Sequence, residues 1–275
     1  MKKSCVLVSG GAGYIGSHTA VELIGAGYDV VIVDNLSNSD MDAVEGVRRI
    51  TGVDVPFEKA DCCDRDAFAR VFEKYDFDSV IHFAASKAVG ESVSKPLEYY
   101  RNNLMSFMNV IGLMREYGRQ NIVFSSSCTV YGEADVLPVT EQTPRKPATS
   151  PYGNTKQMCE DILRDSLAAY EGLKGIALRY FNPIGAHPSA LIGELPRGVP
   201  QNLVPYITPD ARRLEHPRLY RRGRSGEGAC GGDPAHDRGQ EQGTVRGLQH
   251  RHGTRGFGAG AGSQVRRGEQ SETQL

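Results

Sequence analysis

Seven residues near the start, Gly10-Gly11-Ala12-Gly13-Tyr14-Ile15-Gly16, constrain what this chain can fold into more than any other feature. They follow a short apolar run, Cys5–Val8, and precede a helical pattern over Ile15–Ala26 that Gly27 closes at its C′ position. Glycines at this spacing let the backbone turn tightly and approach a ligand closely. The helix start then offers free N–H groups and the positive end of a dipole. Strand, G-x-G-x-x-G turn and helix together are the context that a dinucleotide site requires.

The rest of the front half fits the same frame. Apolar runs at Val30–Val33, Val53–Phe57, Ser79–Phe83, Asn121–Ser125 and Ile176–Tyr180 read as further strands. Pro96–Tyr117 and Tyr152–Tyr170 have helical length and periodicity. The expected architecture is α/β, a doubly wound parallel (Rossmann) sheet. Asp34 ends the second run, 18 residues past Gly16. A carboxylate there accepts hydrogen bonds from ribose hydroxyls and repels a 2′-phosphate, so NAD is expected rather than NADP.

Composition adds limits. A net charge of −1 over 275 residues excludes a strongly basic nucleic-acid binder. No apolar run reaches the roughly 18 residues of a membrane span, and the apolar stretch after Met1-Lys2-Lys3 is too short for a signal peptide. Six cysteines without C-x-x-C spacing read as the reduced thiols of a cytoplasmic protein, with no metal site. The averages hide a break, however. Residues 1–210 hold 20 Lys+Arg against 26 Asp+Glu, whereas residues 211–275 hold 12 Arg, no Lys and 7 acids. The latter segment has 14 glycines, only seven Leu, Val or Phe, and no Ile, Asn or Met. It cannot bury enough apolar surface to offset its ordering entropy, so a disordered tail is expected. The missing types, Lys, Ile, Asn and Met, use A/T-rich codons. Two readings stand: a GC-rich gene read out of frame from about Thr208, or a natural Gly/Arg-rich tail.

Chemistry concentrates in two segments. In Tyr152-Gly153-Asn154-Thr155-Lys156 the phenol and ammonium share one helix face at i and i+4, with Ser150 as cap and Pro151 opening the helix. A tyrosine with its pKa near 10 is a poor base at neutral pH. A neighbouring Lys and a cationic nicotinamide ring both favour the phenolate. Ser125-Ser126-Ser127 follows the fifth apolar run and places hydroxyls at the carboxyl edge of the sheet, where open α/β sheets bind ligands.

These segments resemble the UDP-glucose 4-epimerase family of extended short-chain dehydrogenases/reductases. The likeness is carried by Val8–Thr19, Val33-Asp34-Asn35-Leu36, His82–Val93, Lys95–Asn103, Ser125–Gly132, Ser150–Lys156 and Arg179–Pro188, and runs nearly continuously over 4–207. It implies interconversion of UDP-glucose and UDP-galactose, a step of galactose metabolism, by reversible hydride transfer at sugar C4 to tightly bound NAD. By the resemblance Tyr152 is the base, Lys156 tunes it, and Ser127, 25 residues earlier, is the catalytic serine. Gly10, Gly13, Tyr14, Ile15, Gly16, Asp34, Asn35, Asp61, Cys62, Phe83, Ala84, Ala85, Lys87, Asn102, Tyr152, Lys156 and Phe181 are implied to line the cofactor. Lys87, Ser127, Tyr152, Asn182, Asn202 and Leu203 are implied to meet the UDP-sugar. A homodimer through the two long helices is implied as well.

The resemblance divides the chain into an NAD-binding domain (1–182), the start of a UDP-sugar-binding lobe (183–208) and the aberrant tail (209–275). Cys128 stands where many relatives carry Ala, a change of little expected effect. The larger departure is that an Arg-Asp-Tyr segment and most of the substrate lobe are not legible after Thr208. Loss of that lobe is expected to impair UDP binding. Two alternatives stand beside an impaired epimerase. One is a non-catalytic NAD-binding remnant. The other is a nucleotide-sugar 4,6-dehydratase, which would carry Asp-Glu where this chain has Val130-Tyr131.

Overall fold

In a computed structural model the chain is described over residues 3–195. The expectations placed on the tail, and those for Asn202 and Leu203, lie outside the described residues. Six parallel strands form one sheet: β1 (Cys5–Ser9), β2 (Asp29–Asp34), β3 (Phe57–Lys59), β4 (Ser79–His82), β5 (Asn121–Ser127) and β6 (Lys174–Tyr180). Their order is β3-β2-β1-β4-β5-β6, so the winding reverses between β1 and β4. Six helices connect them: α1 (Tyr14–Gly25), α2 (Met41–Thr51), α3 (Arg65–Lys74), α4 (Val89–Ser94), α5 (Pro96–Glu116) and α6 (Pro151–Ala169). A doubly wound Rossmann sheet is thus present. No described helix is long and apolar enough to cross a membrane.

The sequence rules act locally as expected at most ends. Ser150 caps α6 by accepting from the Gly153 N–H, and Pro151 occupies its first turn, where its missing N–H costs nothing. Gly27, at φ +91, terminates α1. The third strand is displaced from the expected Val53–Phe57 to Phe57–Lys59. Pro56 cannot donate to a ladder, and only its carbonyl is used, accepting from the Ile32 N–H at 2.9 Å. Cys62, Cys63, Cys128 and Cys159 are in no disulfide.

The two sheet faces are covered unequally. One face carries the larger core, with Phe68, Phe72, Phe107 and Phe124 packed under α3, α5 and α6. On the other, Val6, Val8, Val30 and Ile32 pack with α1 and α2 residues such as Ala20, Val44 and Val47. Register places Val8, Ile81, Val123 and Ile176 side by side across this second face. Val8 is fully buried, whereas Ile176 is 59% exposed and Leu178 on the same strand 40%. The cover given by α1 and α2 therefore runs out toward β6.

Candidate dinucleotide and proton-transfer site

The carboxyl edge of the sheet gathers nearly every residue singled out from the sequence. The glycine turn follows β1. Gly10 sits at φ +73, and a Cβ on it would lie 2.6 Å from the Ala84 nitrogen. A Cβ on Gly16 would lie 2.3 Å from the Gly10 carbonyl oxygen. Both positions therefore exclude any side chain. Gly13 is the N-cap of α1 and no side chain caps that helix. The amides of Tyr14 and Ile15 thus open the helix without a side-chain acceptor, as an anion-binding helix start requires.

Asp34 closes β2 and is 9% exposed. One carboxylate oxygen accepts from the Ala12 N–H at 3.1 Å; the other accepts from the Leu36 N–H at 2.9 Å and the Ser39 hydroxyl at 2.7 Å. Leu36, whose N–H is held by Asp34, sits in the left-handed region at φ 59, a strained position directly after β2. Asn35 donates to Asp61 at 3.1 Å, joining the ends of β2 and β3. Cys62 is buried in the core, its thiol is pushed up by burial, and its carbonyl accepts from the Asn109 amide at 2.9 Å. Phe83, Ala84, Ala85 and Lys87 follow β4, and Asn102 donates to the Ser86 hydroxyl at 3.2 Å. Phe181 and Asn182 follow β6 and are exposed.

Ser127 ends β5 and faces Tyr152 on α6. The Tyr152 phenol is raised above its ordinary value, chiefly by burial, with its hydrogen bond to Ser127 acting in the opposite sense; from Lys156 alone the expected lowering is not seen. The Lys156 ammonium is buried and lowered to about 8 by desolvation. It donates to the Ser125 carbonyl at 2.7 Å and lies 5.8 Å from the centre of the Tyr152 ring. Tyr152 and Ser127 thus face each other at the sheet edge, with the Lys156 ammonium behind them against β5.

Two contributors were not anticipated from the sequence. Asn103, 3% exposed on α5, uses its whole amide. It donates to the Ser86 carbonyl and the Thr155 hydroxyl, both at 3.0 Å, and accepts from the Ser86 N–H at 2.8 Å. It ties the loop bearing Lys87 to the helix bearing Tyr152 and Lys156. Glu160 takes a two-point ion pair from Arg179 (2.9 and 2.8 Å) and a 2.6 Å hydrogen bond from Ser126. This joins α6 to β5 and β6 beside Ser127. A polar side chain at a core position of a helix was the available signal for both.

Such a sheet, turn and Tyr–Lys pair define a class: a Rossmann domain of the short-chain dehydrogenase type. The profile of the NAD dependent epimerase/dehydratase family matches residues 6–209. The chain belongs to that family. UDP-glucose 4-epimerase of Bacillus subtilis is 54% identical over 202 residues, which are 74% of this chain and 59% of the relative. That of Haemophilus influenzae is 51% identical over 203 residues, 74% of this chain and 60% of the relative. The structure of UDP-glucose 4-epimerase from Bifidobacterium longum in complex with NAD+ and UDP superposes with a TM-score of 0.73 at 50% identity, covering 74% of this chain and 61% of that one. This chain therefore spans about 60% of the length of the relatives it matches.

Proposed function

We propose that the site binds NAD and performs the 4-epimerisation chemistry of UDP-glucose and UDP-galactose. The observation that carries this reading is the convergence of Ser127, Tyr152 and Lys156 beside an uncapped glycine-turn helix. The residues present fit a dinucleotide: Gly10 and Gly16 exclude side chains, and Asp34 stands at the end of β2. Bound there, NAD supplies a reversible acceptor for the sugar C4 hydride. Tyr152 takes the proton of the 4-hydroxyl, Ser127 hydrogen-bonds the same oxygen, and Lys156 favours the phenolate while reaching toward the nicotinamide ribose. Lys87 and Asn182 lie at the sugar side of the edge, and Asn202 and Leu203 complete the set by resemblance.

A 4,6-dehydratase is disfavoured by this site. Val130 and Tyr131 occupy the place of an acid pair, and both are buried, Tyr131 under the Arg179 guanidinium at 4.7 Å. Homodimerisation through α5 and α6 is supported by Leu97, Met105, Met108 and Met158, apolar and exposed on those helices.

The test is to load the purified chain with NAD, add UDP-galactose, and follow both NADH absorbance and UDP-glucose formation. NADH formation with slow UDP-glucose release supports the reading. NAD binding with neither signal leaves only the NAD-binding remnant, and no NAD binding overturns both.

A further inference from the structure

After β6 the chain does not leave the sheet edge; it runs back across it. The Tyr14 hydroxyl donates to the Gly185 carbonyl at 2.6 Å, so residue 185 stands over the start of α1. Lys87 pairs with Glu194 at 3.4 Å, so residue 194 stands over the loop after β4. Between them Ile192 is 3% exposed and packs into the core cluster that holds Val44 and Val47 of α2. Gly46 permits that approach. A Cβ on it would lie 2.6 Å from the Ile192 side chain and 2.7 Å from the Leu191 carbonyl oxygen. A hydrogen bond from the His187 N–H to the Ile192 carbonyl at 3.1 Å closes the segment into a compact turn. One short stretch thus starts at the end of β6 and is fixed to the loops and helices that follow β1, β2 and β4.

We propose that residues 185–194 are a strap over the dinucleotide groove, with Ile192 and Glu194 as cofactor-retention residues. The inference rests on the NAD-binding reading above. The strap's contacts fall on the elements that follow β1, β2 and β4, where Gly13, Asp34 and Ala84 are the residues a dinucleotide would meet along its length. The Tyr14–Gly185 hydrogen bond holds the start of the strap, and the apolar anchor of Ile192 with the Lys87–Glu194 ion pair two residues on holds its end. Leaving or entering the groove then requires Ile192 to come out of its pocket, so the strap slows both directions. A barrier common to both directions sets how long the cofactor stays rather than how tightly it binds.

The experiment measures NAD association and dissociation on the full chain, by rapid mixing and by retention through gel filtration. Gly46→Ala is the first variant: alanine favours a helix interior over glycine, so α2 itself gains, while the new methyl displaces Ile192. Glu194→Gln is the second, removing the charge pair with Lys87 while keeping the size of the largely buried side chain. Each is expected to speed NAD release about tenfold and also to speed its uptake, a pair of effects that general destabilisation would not give. Ile192→Val should keep nearly wild-type rates. If the wild-type chain binds NAD and neither variant changes its release, the strap is wrong and the cofactor reading stands. If the wild-type chain takes up no NAD, the cofactor reading fails and the strap with it.

Discussion

The Lys156 ammonium donates a 2.7 Å hydrogen bond to the carbonyl of Ser125, two residues before Ser127 on β5. The cation is therefore held against the strand that carries Ser127 and beneath Phe124, 4.9 Å from that ring. Its burial lowers it from 10.5 to about 8. Between those values the unfolded chain binds a proton that the folded chain has released, so this group makes stability rise with pH over that window and fall again toward pH 8. Buried thiols such as Cys159, pushed up to about 12, act in the opposite sense above pH 9. The readout is thus a difference. Lys156→Met should remove the rising component when the two unfolding curves are subtracted from pH 8 to 10, by denaturant titration. Parallel curves would show that the ammonium is not desolvated.

Tyr152→Phe keeps the ring and removes only the oxygen that faces Ser127. NAD binding is expected to persist, because the glycine turn and Asp34 are untouched. NADH formation on adding UDP-galactose is expected to fall by at least about a hundredfold, the usual weight of a positioned base. Retained NADH formation would remove Tyr152 from the proton-transfer role.

Much of this site was legible because its local rules agree with its global position. The glycine turn, Asp34 at a strand end and the capped Tyr–Lys helix each carry their own short-range signal, and each falls where expected. The helices α2 and α3 were missed, although Asp40 and Asp64 cap them by accepting from the Asp42 and Ala67 N–H groups. Both are amphipathic, with Val44 and Val47 buried in one and Phe68, Val71 and Phe72 in the other, so the helical period was available as well. Asn103 and Ile192 were not legible for a different reason. Their partners, Thr155 and Gly46, lie far away in sequence, and nothing local marks the pairing. The sixth strand was legible as a strand. The exposure of its Ile176 and Leu178 follows from what covers the sheet, not from the strand itself.

The Glu160–Arg179 pair should be worth more than a surface ion pair. The Glu160 side chain is 9% exposed, and the Arg179 guanidinium takes both of its oxygens while lying over Tyr131. Glu160→Gln removes the charge and leaves Arg179 without its counter-ion at 23% exposure. A loss of about 2 kcal/mol is expected, less than for a fully buried pair because Arg179 keeps some water. Urea unfolding checks it. The same variant should lower the Ser127–Tyr152 chemistry only modestly, since Ser126 and not Ser127 loses its partner.

Acid should unfold the chain through His82. This imidazole is 2% exposed, accepts or donates at 2.7 Å with the Ser9 hydroxyl, and lies beside the Phe107–Phe124 pair, stacked on Phe124 and tilted against Phe107. Burial first, and the Lys156 charge second, lower it from 6.5 to about 3. Above pH 6.5 it is neutral in both states and has no effect on the balance. As pH falls below 6.5 the unfolded chain takes up a proton that the folded chain refuses, and stability declines by about 1.4 kcal/mol per pH unit until about pH 3. His82→Gln keeps a polar partner for Ser9 and cannot titrate. It should start less stable at pH 7, from lost stacking, and then lose less stability than wild type between pH 6 and 4. Equal acid slopes for the two chains, measured by chemical denaturation at fixed ionic strength, would show that His82 is protonated in the fold.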